Sequence, residues 1–457
     1  MGTAWNDHSL SAAYQTAHGT PNENDNEFVA LLCDRPEVKF EHEVVELDLM
    51  SGQVGAAPER LVGRRSGTLR FSYPLEGFVS DYDTVTGAGD NPGAAPVNAA
   101  NEIIPPWFVL LANAMGSNMS AVATSANFWR GVGATSSVYT SGGMGSGTAG
   151  TILCDDEPTA ELYDVGELVV AALSATNTAP QIGYIQEKDT VTLTLFENAV
   201  NNVNSADAHL YGTANAYASS EITSTKAVTF RWTGPATTDC YVLEDAYADS
   251  VKLTWDSGAI PTAEFSYKFY NYQYNTLDGE LVVPIGYDRI PQIVGSNNAR
   301  ATIDGANKCG LEGCTWEWKP SAIRETKCHG SSNGVSAVEI LAPRITAGFT
   351  IVHDSGDDNL DSAGVATTLG QHEWFSRFEL GSAITVGVYV GSRVGKIFAF
   401  LIPNGIIVAT PDVQLRDDAT VAYGLVVEAG AYTGDETDGD ELVSDSPYNS
   451  LARVSLA

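Results

Sequence analysis

Between Ile384 and Val390 apolar positions alternate with small or polar ones: Ile384, Val386, Val388 and Val390 interleave with Thr385, Gly387 and Tyr389. That period of two predicts a strand buried on one face. Gly391–Gly395 interrupts the pattern, and Lys396–Ile402 resumes it. In this second run Phe398, Phe400 and Ile402 point one way and Ile397, Ala399 and Leu401 the other. Both faces are apolar, so the strand is expected to be covered on both sides. The second cover is either a helix or long loop of the same chain, or a neighbouring subunit. Pro403-Asn404-Gly405 reads as a tight turn, because Asn-Gly accepts the positive φ that a short hairpin needs. Ile406–Thr410 and Thr420–Glu428 read as two further strands.

Ser250–Asn271 has a similar plan. Val251, Leu253 and Trp255 precede a turn at Asp256-Ser257-Gly258, and Phe265, Tyr267 and Phe269 follow it. The echo suggests two copies of one β module with a boundary near Asp278–Pro291. Other strands are expected at Val38–Met50, Gly63–Leu75, Thr190–Phe196, Ala227–Thr233, Tyr241–Leu243, Asn298–Asp304, Gly313–Lys319, Ala337–Leu341 and Gly348–His353. In Gly63–Leu75, Thr68, Arg70 and Ser72 form a polar face opposite Leu69, Phe71 and Tyr73. Within Asn98–Gly116 a short helix is expected. Pro105-Pro106 sit at its start and Gly116 at its end, with Trp107, Leu110, Leu111 and Ala114 on one face. Residues 1–30 are polar and read as an arm without its own core, either a frayed terminus or a segment that orders on a neighbour, and 118–177 reads as an exposed insertion or long loop. The expected organisation is all-β: arm 1–30, first module 31–278 with the insertion near 118–177, and second module 279–457.

Charge narrows the partners. With 57 acids against 24 bases the net charge is −33, a surface that repels phosphates instead of binding them. Self-repulsion of this size weakens a compact state, but at about 1 M salt the screening length is only about 3 Å. A saline setting is therefore one expectation, and a merely acidic, soluble protein is the other. Arg64-Arg65 is the most basic spot. It reads either as a clamp for an acidic neighbour or as a solvated pair. No apolar run reaches 18 residues, so no membrane partner is expected. The first residues lack the basic start and apolar stretch of a secretory signal, so folding in a cytoplasm is expected.

No catalytic or cofactor motif stands out. Seven histidines (His8, His18, His42, His209, His329, His353, His372) lack motif context, and no Gly-x-Ser-x-Gly, His-Glu-x-x-His or Walker sequence is present. Cys309, Cys314 and Cys328-His329 lack the paired spacing of a zinc site. The acidic loops Asp354–Asp361 and Gly434–Glu441 lack the ligand spacing of an EF-hand. The expectation is a protein without cofactor or metal.

Gly63–Leu75, Pro105–Gly116, Ser250–Asn271, Arg344–His353 and Ile384–Ala429 together resemble the pattern of elements in major tail tube proteins of tailed double-stranded DNA viruses. The resemblance implies tandem β-sandwich modules with long hairpins and a short flanking helix, closing into rings that stack into a tube. Single-module members make sixfold rings, so two modules imply a trimeric, pseudo-sixfold ring. The implied partners are copies of the chain, tail terminator and baseplate proteins. Double-stranded DNA passes without specific binding. The implied place is the virion tail, assembled in the host cytoplasm, with lumen positions acidic or neutral on balance. The candidate ring-forming hairpins are marked by Val251, Leu253, Trp255, Phe265, Tyr267, Phe269, Ile384, Val386, Val388, Phe398, Phe400 and Ile402. The alternatives are another virion β protein (capsid decoration, tail terminator or fibre) and a carbohydrate-active β-sandwich enzyme.

Overall fold

The computed structural model describes residues 9–23, 28–31, 33–34, 36–47, 59–75, 79–80, 102–103, 105–116, 138–141, 149–154, 166–172, 181–189, 192–198, 204–205, 209–211, 214–219, 225–233, 240–275, 299–304, 306–308, 311–328, 334–352, 359–360, 366–367, 371–391, 397–415, 421–431 and 450–456. The chain is all-β: among the described residues, apart from helices α1 (Pro106–Met115) and α2 (Gln371–Leu380), the regular elements are strands in antiparallel sheets. No helix among the described residues is long and apolar enough to cross a membrane.

Three long hairpins carry the main sheet. In the first, Cys240–Asp256 pairs with Thr262–Phe269 near the turn and with Asn271–Asn275 at the open end. Gly258 takes φ 80° at the turn, where glycine avoids the Cβ penalty. In the second, Leu311–Pro320 and Ile323–Lys327 run out, and Val335–Ile340 and Pro343–Val352 return in unbroken register across Ser321-Ala322. In the third, Ile384–Val390 pairs with Phe398–Ile407.

Pairing between the hairpins gives a run of eight strands, and the end of Phe398–Ile407 joins it through Val421–Ala429. Its order is Glu37–Leu47, Glu59–Pro74, Thr262–Phe269, Cys240–Asp256, Leu311–Pro320, Pro343–Val352, Val421–Ala429 and Asp412–Leu415. Every neighbour in this run of eight is antiparallel, and the run joins strands from both expected modules. Two strands change partners along their length. The first half of Cys240–Asp256 pairs with Val228–Thr233, which continues to Ser9–Tyr14 and Val29–Leu31. The first half of Phe398–Ile407 pairs with Ser450–Leu456, and that strand with Ala214–Ser219.

These partner changes fold the sheet onto itself around one core. Trp255 stacks on Phe398 at 5.0 Å and lies 5.2 Å from Phe400, joining the first hairpin to the third. Helix α1 is buried on all sides within this core. Tyr14 donates to the Val109 carbonyl at 3.0 Å, and Asn113 exchanges hydrogen bonds with the Lys226 backbone at 3.0 and 2.9 Å. The helix ends where expected: Gly116 is left-handed at φ 86° and its N–H caps the Ala112 and Asn113 carbonyls.

Several expectations need correction. Pro403-Asn404-Gly405 is no turn, because the strand Phe398–Ile407 runs straight through it. Glycine is needed there for close approach: a Cβ on Gly405 would lie 2.5 Å from Val427 Cγ1. Asn404 instead uses its side chain to donate to the Ala431 carbonyl at 2.7 Å. The N-terminal stretch is not simply a polar arm. Ser9–Tyr14 is a paired strand whose last five residues are buried. Part of 118–177 is likewise structured, as Val138–Ser141, Ala149–Cys154 and Leu168–Ala172 belong to a seven-stranded second sheet completed by strands between 181 and 211. Helix α2 was not expected. Residues 1–8, 142–148, 354–358 and 434–441 lie outside the described residues.

Candidate self-association surface

All twelve hairpin residues singled out from the sequence are at most 6 % exposed and belong to one core. The chain brings them together with each other, hairpin against hairpin, so they do not present a surface to another copy. The opposite face of the third hairpin is also covered from within. Ile397, Ala399 and Leu401 are fully buried against Leu168, Val170, Ile182 and Tyr184 of the second sheet. The open choice between a cover from the same chain and one from a neighbour is thus decided for this strand. The inserted strands supply it, and an apolar second face is no argument for a ring.

What remains available is the outward face and the two ends of the eight-stranded run. Tyr267, Phe265, Trp255, Leu253, Trp316, Trp318, Ala347 and Leu425 point into the core. The intervening positions face outward, as alternation requires. Outward residues include Lys39, Arg70, Lys252, Lys268, Lys319 and Arg344, together with Glu37, Glu41, Asp256, Glu264, Glu317 and Glu428. Charges balance on this face of a chain whose net charge is −33. Lys252 lies in register between Glu264 and Glu317, so opposite charges sit side by side across three strands. Thr68, Ser72, Ser266, Thr254, Thr315, Thr346 and Thr350 fill the spaces between the charges.

The two ends of the run differ. Glu37–Leu47 pairs only with Glu59–Pro74, and Asp412–Leu415 only with Val421–Ala429, among the described residues. The second end carries exposed apolar side chains: Leu415 is 82 % and Val413 45 % exposed, with Ile406, Val408 and Val426 exposed beside it. An unprotected apolar edge is a template for another strand. With eight alternating strands, the first and last run in opposite directions. The last strand of one copy is therefore antiparallel to the first strand of an identically oriented neighbour.

One part of the outward face is closed. The far half of the second hairpin crosses it, and Glu325 accepts from Arg64 at 2.7 Å and from Lys268 at 2.8 Å. These bonds, led by the one from Arg64, hold the Glu325 carboxyl down to about 2 from its usual 4.5. Tyr270 is buried beneath, with Arg64 and Lys268 each 5.1 Å from its ring centre, and burial pushes its hydroxyl up. His18 completes the closure, approaching the Tyr247 hydroxyl at 3.3 Å, the Val335 carbonyl at 3.2 Å and Asp245 at 3.5 Å. Because the folded-state value of Glu325 is depressed, its stabilisation is present above pH about 4.5 and fades as pH falls towards about 2. At pH 7 Glu325→Gln is expected to cost about 1 kcal/mol in denaturant unfolding, since solvent screens this partly exposed cluster, with the gap to wild type narrowing across that window. A gap constant over this range would contradict the assignment.

Neither the edges nor the balanced face was picked out from the sequence. The alternation of Thr68, Arg70 and Ser72 was the available signal. Among the described residues no group of three or more His, Cys, Asp or Glu side chains is placed to hold a metal ion. Burial raises the Cys314 thiol and takes Cys33 to about 12, while Cys328 is exposed near the tip of the second hairpin. No protein-family model matches the chain, and no curated protein matches it.

Proposed function

We propose that the chain is a structural protein that joins copies of itself edge to edge into closed rings, which stack as the tail tube of a double-stranded DNA virus. One observation carries the reading: a run of eight antiparallel strands whose first and last strands, Glu37–Leu47 and Asp412–Leu415, run in opposite directions and each pair on one side only among the described residues. Closing a ring removes both edges at once. In a trimer, three such runs make a barrel of twenty-four strands. With strands ~4.8 Å apart and tilted ~40°, its backbone circle is roughly 50 Å across. The outward face then lines the hole, and its balanced charges suit a channel through which DNA moves without adhering. The two modules form one ring segment in this reading, which assigns the chain no catalytic role. Tail terminator and baseplate proteins are its partners at the tube ends, in a virion tail assembled in the host cytoplasm.

A second reading, a virion β protein used for capsid decoration, tail termination or fibres, is favoured by the internal cover over Ile397, Ala399 and Leu401. Such a protein stays a small oligomer away from its virion. Electron microscopy of the purified chain in about 1 M salt separates the two, since that salt screens the charge repulsion beyond about 3 Å. The ring reading expects end-on circles with a central hole and side-on stacks. A uniform field of small solid particles would contradict it.

A further inference from the structure

Arg64 and Lys268 converge on one carboxylate. Arg64 Nη1 donates to Glu325 Oε2 at 2.7 Å, and Lys268 Nζ donates to Glu325 Oε1 at 2.8 Å. Both cations lie 5.1 Å from the centre of the buried Tyr270 ring, which forms the floor. Among the described residues Glu325 is the carboxylate that both pair with. Two other acids share the surroundings. Glu41 also feels the Lys268 charge but is paired with Lys39 at 2.7 Å. Asp245, beside His18, accepts from the Gly19 N–H at 2.6 Å. Arg64 keeps a further donor: its Nε is buried and meets no acceptor among the described residues. A carboxylate that gives one oxygen to each cation leaves that donor unmet, whereas a phosphate group has further oxygens for it.

Glu325 reaches this place on an arm. Ile323–Lys327 and Val335–Ile340 pair with each other alone among the described residues, so side chains and not a sheet ladder hold the arm on the face. Val335 and Ile340 are buried, and the Val335 carbonyl lies 3.2 Å from His18 Nε2. We propose that Arg64, Lys268 and Tyr270 form a latent binding site for a phosphate group, and that Glu325 is its internal plug. The carboxylate stands where phosphate oxygens would lie. It offsets one of the two positive charges and takes a donor from each, so the contact is autoinhibitory. The site stands on this geometry and needs no ring. Under the ring reading, the same plug keeps the face that lines the hole from gripping DNA phosphates.

Calorimetric titration of the full chain with inorganic phosphate at low ionic strength, where screening is weakest, tests it. Glu325→Gln keeps the shape of the plug and removes its charge. It is expected to bind phosphate at least roughly tenfold tighter than the parent chain. Adding Arg64→Gln or Lys268→Gln is expected to return the affinity to the parent level. Adding Lys319→Gln instead, which removes a cation elsewhere on the same face, is expected to change it by less than about twofold. Glu325→Asp keeps the charge but draws it back by one methylene, and is expected to fall between the parent and Glu325→Gln. Duplex DNA as a second titrant separates the sources of phosphate. DNA binding by Glu325→Gln that Arg64→Gln abolishes assigns the site to a nucleic-acid backbone, and phosphate binding without it assigns the site to a small phosphate compound. Equal phosphate affinity in the parent, Glu325→Asp and Glu325→Gln chains, each folded by circular dichroism, would overturn the proposal. So would a gain that survives Arg64→Gln and Lys268→Gln together. Neither result bears on the ring reading, which electron microscopy decides separately.

Discussion

Replacing Trp255 with alanine is expected to lower the unfolding free energy by about 3–5 kcal/mol, the usual cost of emptying a buried indole site. Trp255 is 2 % exposed and lies flat on Phe398, with an angle of 12° between the rings. Its loss opens a cavity at the seam between the first and third hairpins, where strands of different sheet regions face each other. The indole N–H has no hydrogen-bond partner, so Trp255→Phe removes volume and also an unsatisfied donor. A smaller loss of roughly 1 kcal/mol is expected for it. A double-mutant cycle with Phe398→Ala, read by denaturant unfolding, should give a coupling of about 1 kcal/mol beyond additivity. Additive losses would mean that the two hairpins do not pack on each other within one chain.

The second large effect falls on assembly and leaves the fold intact. Leu415 protrudes from the free edge at 82 % exposure and contributes little to the core. Leu415→Lys should therefore change unfolding free energy by no more than about 0.5 kcal/mol. The same lysine places a charge on the strand that must lie against the next copy, a common device by which natural edges refuse partners. Sedimentation at equal protein concentration is expected to show rings for the parent chain and free subunits for the variant. Rings formed equally well by Leu415→Lys would move the joint away from Asp412–Leu415.

Much of the fold is legible because alternation records which face a strand buries. Ile384–Val390, Thr262–Phe269 and Gly63–Leu75 all declare themselves this way, and Pro106 with Gly116 brackets α1. The failures have physical causes. Pro403-Asn404-Gly405 carries turn chemistry, but glycine there answers to the approach of Val427, a contact far along the chain. Ser9–Tyr14 is short and holds small residues, so its alternation of Leu10, Ala12 and Tyr14 is faint until Val228–Thr233 pairs with it. Leu168–Ala171 is an apolar run without periodicity, and its role as the cover for Ile397, Ala399 and Leu401 depends on long-range packing. The apolar hairpin positions were visible, but burial within the chain and burial against a neighbour leave the same pattern in a sequence. The edge strands were invisible because pairing on one side only, as Glu37–Leu47 and Asp412–Leu415 do among the described residues, is a property of sheet order.

Hydrogen–deuterium exchange followed as the chain is taken from dilute to concentrated in about 1 M salt, where the screening length is about 3 Å, tests edge-to-edge closure most directly. The account predicts that amides of Glu37–Glu43 and of Asp412–Leu415, at opposite ends of the sheet, slow together as particles grow, while the buried strand Ile384–Val390 stays protected throughout. Assembly that proceeds with both edges exchanging as fast as in the dilute chain would contradict it.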